Sequence, residues 1–351
     1  MQSVARHAVG LAALLSALIT LRAVAQMPPI GIIDFYGLRQ VSERQAREAL
    51  QISEGTSFPD SDIATGQMID AAKRSLRALR GVNDVFTELV CCDAGPMMLY
   101  VGIVETGAAV MKFAPAPRGS ARLPDDLVQA GRAYEKALST AVRTGDVRED
   151  VTNGHALSSN AGLRAIEEQF IAFAARDEAR LRDVLAHSAD AAHRALAAQV
   201  LAYVADKKTV VAPLSNAMAD PDGHVRNNAM RALAVIAGYA AANPQLAIEV
   251  APVPFIDLLN SPVWTDRNKA SFALVELSTG RDPRLLDALR TRALPSLVET
   301  ARWKSRGHAA AAFFILGRVA GLPEDAITKA WDRDDRDPVL AAATATKRSG
   351  A

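Results

Sequence analysis

Asp222-Gly223-His224-Val225-Arg226-Asn227-Asn228-Ala229-Met230-Arg231-Ala232-Leu233 is one copy of a pattern that the chain repeats. Its skeleton is an Arg, an Ala three places on, then a small and a large apolar residue: Arg226, Ala229, Ala232 and Leu233. The skeleton returns as Arg194, Ala197, Val200, Leu201, as Arg267, Ala270, Ala273, Leu274, and as Arg306, Ala309, Ala312, Phe313. Counted from Arg to Arg, the intervals are 32, 41 and 39 residues. A period of that size among helix formers is the mark of an α-solenoid, in which each repeat buries a face against its neighbour. The Ala permits close helix contact, and the last two positions turn towards a continuous core. The Arg is placed at the exposed start of each copy, where it stitches one repeat to the next.

The four copies resemble the second helix of a HEAT repeat, including the shortened HEAT-like bacterial versions. Asp190, Asp222 and Asp266, just ahead of the Arg residues, extend the resemblance. In that family a turn Asp caps the helix and meets an Arg of a neighbouring repeat. The fourth copy departs, with Ser305 before Arg306 and no Asp. Partner helices are expected at Lys208–Ala219, Asn243–Asn260 and Arg284–Ala301. Pro213, Pro252, Pro254 and Pro295 fall in or beside them, and interior Pro costs about 3 kcal/mol, so they mark starts or kinks. The HEAT-like array is set at residues 176–337 and is expected to present a long concave surface lined by second helices. Asn227, Arg231, Asn268, Lys269 and Arg302 are the candidate partner-binding residues of that surface. Asp190, Arg194, Asp222, Arg226, Asp266, Arg267 and Arg306 are assigned to the structure of the repeats. His193, His224 and His308 recur near the starts of second helices and are read as exposed polar positions.

Ahead of the array the signals alternate. Ile30 to Gly37 is a β-branched and aromatic run ended by Gly. Ser42-x-x-Gln45 has capping-box form and opens a helix to about Gln51. A second helix is expected from Asp60 to Arg80, and strands at Val82–Cys92 and Met97–Glu105 flank the loop Asp93-Ala94-Gly95-Pro96. This β-α-α-β-β unit, residues 28–106, resembles the POTRA domain of envelope transport machines. The likeness rests on Gly37 after the first strand, Val41-Ser42, Gly55, Leu76-x-x-Leu79-x-Gly81-Val82, and Val101 to Glu105. Leu38 stands where the family often has Asn. There is a single copy and no β-barrel pattern follows. The resemblance implies an edge strand open to β-augmentation by a peptide. Residues 107–123, with Pro115, Pro117, Gly119 and Ser120, have linker composition. Residues 124–175 form a helical connecting region, beginning with an amphipathic helix from Pro124 to Thr144 and a polar loop from Gly145 to Asn160. The fold class is thus mainly α, a HEAT-like solenoid preceded by a small α+β domain.

Arg6 and His7, the apolar run Ala8–Leu21 and Ala23-Val24-Ala25 have the form of a secretory leader, residues 1–25, cleaved before Gln26. The apolar run is short of the ~20 residues that span a bilayer, so no transmembrane segment is expected after cleavage, and a periplasmic or secreted protein is. A formal charge of +1 with 5% aromatic residues lacks the basic excess that nucleic acid demands. Cys91 and Cys92 are adjacent, and their side chains point to opposite faces of an extended segment. A buried thiol, a strained vicinal disulfide and an intermolecular bridge all remain open for them. The run Asp332 to Pro338 is read as a solvated cap, with a flexible tail at 338–351.

No His-Glu-x-x-His, Cys-x-x-Cys, Gly-x-Ser-x-Gly or phosphate loop occurs. The densest polar segment is Arg148 to Ser158, where His155 stands near Glu149, Asp150 and Thr152. The expected function is an exported, non-catalytic scaffold without cofactor or metal. It would bind a protein partner through the concave HEAT surface and the POTRA-like edge, in an envelope assembly. The alternative is an enzyme or enzyme partner of the HEAT-like lyase type, with chemistry in the loop around His155.

Overall fold

The computed structural model describes residues 28–345, apart from Asp60, residues 91–95 and residues 109–110. The leader, the Cys91-Cys92 pair and the last six residues lie outside the described residues. The small N-terminal unit runs β1 (Ile30–Tyr36), α1 (Glu43–Leu50), α2 (Asp62–Arg77), β2 (Val82–Val90) and β3 (Met97–Glu105). Its three strands are ordered β1-β3-β2, with β1 parallel and β2 antiparallel to β3. The capping box at Ser42 forms: the Gln45 backbone N–H donates to Ser42 Oγ, and the Ser42 N–H to Gln45 Oε1. Ser61, whose Oγ accepts from the Ala64 N–H, starts α2 at Asp62, two residues later than expected from Asp60. Gly37 ends β1 at φ +80°, where a side chain would also collide with the Ile103 carbonyl. The Glu105 carboxylate accepts from the backbone N–H groups of Arg39, Gln40 and Val41, which pins the turn from β1 into α1.

Alternation along the strands gives this sheet two buried faces. Ile33, Leu99, Val101 and Ile103 pack under α1 and α2 with Leu50 and Leu76. On the opposite face stand Asp34, Tyr36, Tyr100 and Gly102. All of these meet the helical array.

Residues 111–123, read as a linker, form a strap across that array. The Ala114 N–H donates to Ala219 O, Gly119 exchanges hydrogen bonds with His187 and Ala189, and the Leu123 N–H donates to His193 Nδ1. Then come α3 (Asp125–Thr144), the two-residue strands β4 (Glu149–Asp150) and β5 (Leu157–Ser158), and α4 (Ala161–His187). The expected polar loop is thus a small hairpin. In α4 the backbone leaves helical geometry at Asp177, where the connecting region gives way to the first repeat.

The repeats pair the end of α4 with α5 (Ala191–Leu201), α6 (Lys207–Ala217) with α7 (Gly223–Ala242), α8 (Val253–Leu258) with α9 (Trp264–Leu277), and α10 (Pro283–Ala301) with α11 (Arg306–Val319). The four repeat alanines Ala197, Ala229, Ala270 and Ala309 are all fully buried. The helix expected over Asn243–Asn260 is not continuous. Pro244 opens a short 3-10 turn to Leu246, and only Val253–Leu258 is α-helical, because Pro252 and Pro254 lack the N–H that an interior turn needs. The tail expected to be flexible is also corrected. After α12 (Glu324–Asp332), α13 (Asp337–Ala345) buries Val339, Leu340 and Ala343 against the core. The charge run between them is tied down, since Arg336 donates to the carbonyls of Ala301 and Trp303.

The repeat arginines Arg194, Arg226 and Arg267 are buried, not exposed. Arg194 forks onto Asp220 at 2.8 Å, Arg226 reaches Asp266 at 2.9 Å, and Arg267 reaches Glu299 at 2.9 Å. Each pair joins successive repeats, and bidentate geometry with further acceptors is what makes such burial tolerable. Arg306, in the last copy, stays exposed over the Trp331 ring and pairs with Asp334. Asp190 and Asp222 cap α5 and α7. Asp266 does not cap: it lies inside the first turn of α9, which begins at Trp264.

The outer face of the sheet docks on the last repeats. Tyr36, Tyr100, Trp264, Trp303 and Ala309 form one buried cluster. The Tyr100 ring stacks on Trp264 at 4.9 Å and meets Trp303 at 5.0 Å. Tyr36 Oη donates to Pro262 O at 2.8 Å, and Tyr100 Oη lies 2.6 Å from His308 Nδ1. Gly102 is required here, because a Cβ would stand 2.4 Å from the Pro262 carbonyl.

Asp34 is buried in this interface and accepts the Lys304 backbone N–H at 3.0 Å. Burial pushes its carboxyl from 3.8 up to about 6, against the opposing pull of Lys304 and Arg47. The folded value exceeds the unfolded one. The contribution is therefore fully present below about pH 4 and is lost as pH rises through about 6. An Asp34→Asn variant, whose amide oxygen can still accept from Lys304, is expected to be more stable than the parent above pH 7 by roughly 1–3 kcal/mol. The gain should shrink towards pH 4 in urea titrations, and a gain independent of pH would contradict the assignment.

Candidate binding groove

The first two repeats leave an open groove of about 950 Å³. Its floor is the exposed side of α5 and α7, where Ala191, Ala192, Ala195 and Leu196 are followed by Asn227, Asn228, Arg231 and Val235. Helix α3 makes a wall with Val128, Gly131, Leu138 and Val142, and the β4–β5 hairpin adds Glu149 and His155. Lys269 of α9 closes the end nearest the docked sheet. The α3 wall is thus largely apolar, with Arg132 and Glu135 between its apolar side chains, and the floor passes from apolar on α5 to polar on α7, as in sites that hold an extended chain by shape and a few oriented contacts.

Of the residues singled out in the sequence, Asn227, Arg231 and Lys269 lie together in this groove. Asn268 does not: it is 5% exposed, and its Oδ1 is buried without a hydrogen-bond partner. Helical geometry turns it a hundred degrees from Lys269, into the packing of α9. Arg302 is exposed but caps the C-terminus of α10, on the first-helix side of the array. The three histidines divide. His193 and His224 line the groove, and His193 is engaged by the strap, whereas His308 belongs to the interface with the sheet.

The polar floor has a definite charge order. Arg231 Nη2 pairs with Glu149 across the groove. Burial works against the Arg231 charge, but Glu149 together with Tyr134 and Tyr203 outweighs it, and the guanidinium is held above its ordinary value. Asn227 Nδ2 donates to Asn228 Oδ1 at 3.0 Å, and Asn228 Nδ2 donates to Ala195 O at 2.9 Å, which fixes both amides. Burial, with Arg231 adding to it and Glu149 opposing, pushes the Lys269 ammonium below its ordinary value. Tyr134, beneath this pair, is pushed up to about 12 by burial.

The hairpin end is built differently. Lys207 is 2% exposed, and its Nζ reaches Ala202 O and Val204 O at 2.7 Å and His155 Nδ1 at 3.2 Å. Burial takes Lys207 down to about 8, and burial together with Lys207 takes His155 down to about 4. His155 is therefore neutral at physiological pH. Its ring packs on Tyr203 at 5.2 Å, and the Tyr203 hydroxyl donates to Ala156 O. These bonds commit His155 and Lys207 to holding the hairpin against α5. Among the described residues no group of three or more His, Cys, Asp or Glu could hold a metal ion.

Tyr134 and the α3 wall were not singled out from the sequence as groove residues, and Glu149 was named only beside His155, not as the partner of Arg231. They reach the groove from residues 128–149, which lie 82 to 103 positions before Arg231, and nothing local marks that meeting. No helix among the described residues is long and apolar enough to cross a membrane. No curated protein matches the chain. Residues 178–248 match the family model described as HEAT repeats, so the segment that builds the groove floor is a HEAT-repeat region within a mostly helical protein.

Proposed function

We propose that the protein is an exported, non-catalytic scaffold that holds an extended segment of a protein partner in the groove between α3 and the second helices α5 and α7. The observation that carries this reading is the groove itself. It is open, walled by apolar side chains, and floored by amides and cations on a helical repeat, and repeats of this kind use such surfaces for binding extended partners. The leader-like residues 1–25 support export. The POTRA likeness of residues 28–106 supports a second contact, because β2 is an outer strand paired within the sheet only to β3, and such an edge accepts an added strand. Glu88 of β2 lies within electrostatic reach of His224 of the groove lining, and one partner segment would run from groove to strand edge. No observation favours chemistry at His155, whose ring is engaged by Lys207.

A photo-crosslinking residue at Val235, inside the groove, is expected to capture a polypeptide in the native cell, and one at exposed Phe272 is not. Charge reversal at Arg231 and Lys269 together should reduce the Val235 adduct at least about tenfold, since each contact to a charged group contributes about 1.5–3 kcal/mol. An adduct that survives the reversal, or forms equally at Phe272, would sink the reading.

A further inference from the structure

The cationic end of the groove holds more donors than its own residues use. Lys269 makes no hydrogen bond and no ion pair among the described residues, although its three N–H groups lie in a half-buried setting. Arg231 engages Glu149 through Nη2 alone, which leaves Nε and Nη1 without a hydrogen bond among the described residues. With Lys269 protonated, Arg231, Lys269 and Glu149 together carry one net positive charge. The other carboxylates of the lining are committed or remote. Asp222 accepts the N–H groups of His224 and Val225, Asp190 pairs with Arg122, and Glu135 stands exposed on α3. The groove around the unmatched cation also carries apolar side chains, Val128 and Leu138 on the α3 wall and Leu196 and Val235 on the floor.

We propose that Lys269 and Arg231 form a carboxylate-binding subsite that takes an acidic side chain, Asp or Glu, of the bound polypeptide. This rests on the groove being a polypeptide site. One excess positive charge is balanced by one carboxylate, whereas a phosphoryl group would bring more charge than the site lacks. A free N–H of Arg231 and the Lys269 ammonium suit the two oxygens of a carboxylate, one charge-assisted hydrogen bond to each. The apolar walls then cover the residues on either side of the acidic one.

The test uses the full chain with its lysines labelled by 13C reductive methylation, and the Lys269 resonance identified by its loss in Lys269→Arg. The probes are N-acetyl-glutamate N-methylamide, its glutamine counterpart and inorganic phosphate. The acid is expected to move the Lys269 resonance and to bind about tenfold more tightly than the amide, the ratio that a charge-assisted bond confers. In the unlabelled protein, binding of the acid should persist in Lys269→Arg and be lost in Lys269→Met at an unchanged melting temperature. An equal response to the amide, no response to either, or a stronger response to phosphate would overturn the subsite. The Val235 crosslink would still decide separately whether the groove holds a polypeptide.

Discussion

Replacing Arg226 with Met is expected to cost about 3–5 kcal/mol, among the largest losses any single substitution in this chain can cause. Arg226 is 2% exposed and Asp266 fully buried. The guanidinium donates to both oxygens of Asp266 and to the carbonyls of Asp220 and Pro221, with its carbon 3.8 Å over the Phe113 ring. Without it, Asp266 keeps only the Ser261 hydroxyl and stands as an uncompensated charge between the second and third repeats, while two carbonyls lose their donor. A double variant, Arg226→Met with Asp266→Leu, removes the orphaned charge as well and should recover most of the loss, because a buried ion pair is often replaceable by apolar groups of similar volume. Urea midpoints of the parent, single and double variants check this. A single-variant loss below about 1 kcal/mol, or a double variant no better than the single, would show that the pair does not join the repeats as described.

Trp303→Ala is expected to release the small domain while the array stays folded. Trp303 is 2% exposed and sits between Tyr36 and Tyr100, at 5.8 and 5.0 Å between ring centres. Truncating a buried Trp costs about 3–5 kcal/mol through lost transfer energy and the cavity left behind. Here that loss falls on one contact between two bodies that each have a core of their own. Hydrogen exchange should therefore show faster exchange at the Gly37 amide and the Lys304 amide, which bond to Glu299 and Asp34 across the interface. Amides in α5 and α7 should keep their protection. Uniform loss of protection through the array would mean that the sheet is part of the repeat core and not docked on it.

The array was legible in the sequence because it is periodic. Each repeat Arg recurs with an Ala three residues on, and close packing repeats that demand at every interface. Where the structure departs from the reading, a long-range contact decided. The Arg residues read as exposed since one repeat seen alone offers them no acid; Asp220, Asp266 and Glu299 supply it from the next turn or helix. Residues 338–345 looked like a tail because a short Ala-rich segment has little helical stability by itself, and only the face of α11 makes it a helix. The docking left a trace that could have been followed. Trp264 and Trp303 each stand three residues ahead of a repeat Arg, where the first two copies have Ala191 and Gly223. Small residues at that place leave the ridge open as the groove, and Trp fills it in the copies that receive the sheet. Tyr36 and Tyr100, aromatic on the face of the sheet away from its own helices, were the matching half of that signal.

The hydrogen bonds between the small domain and the array join residues 208 to 271 positions apart, which imposes an order in time. Synthesis proceeds at about 5–20 residues per second, so β1 is complete roughly 10–50 s before Lys304 exists. Once β3 is complete the small domain can close its inner core under α1 and α2, yet until Trp303 and Lys304 are made Asp34 lacks its cover and Tyr36 and Tyr100 lack part of theirs. A nascent or truncated chain ending short of Trp303 therefore presents an aromatic face with a carboxylate at its edge, the kind of surface that recruits holding factors or self-associates. The burden of making this protein thus lies late, between the arrival of α9 and that of α11, and a chain halted before its end is the species a cell must guard against.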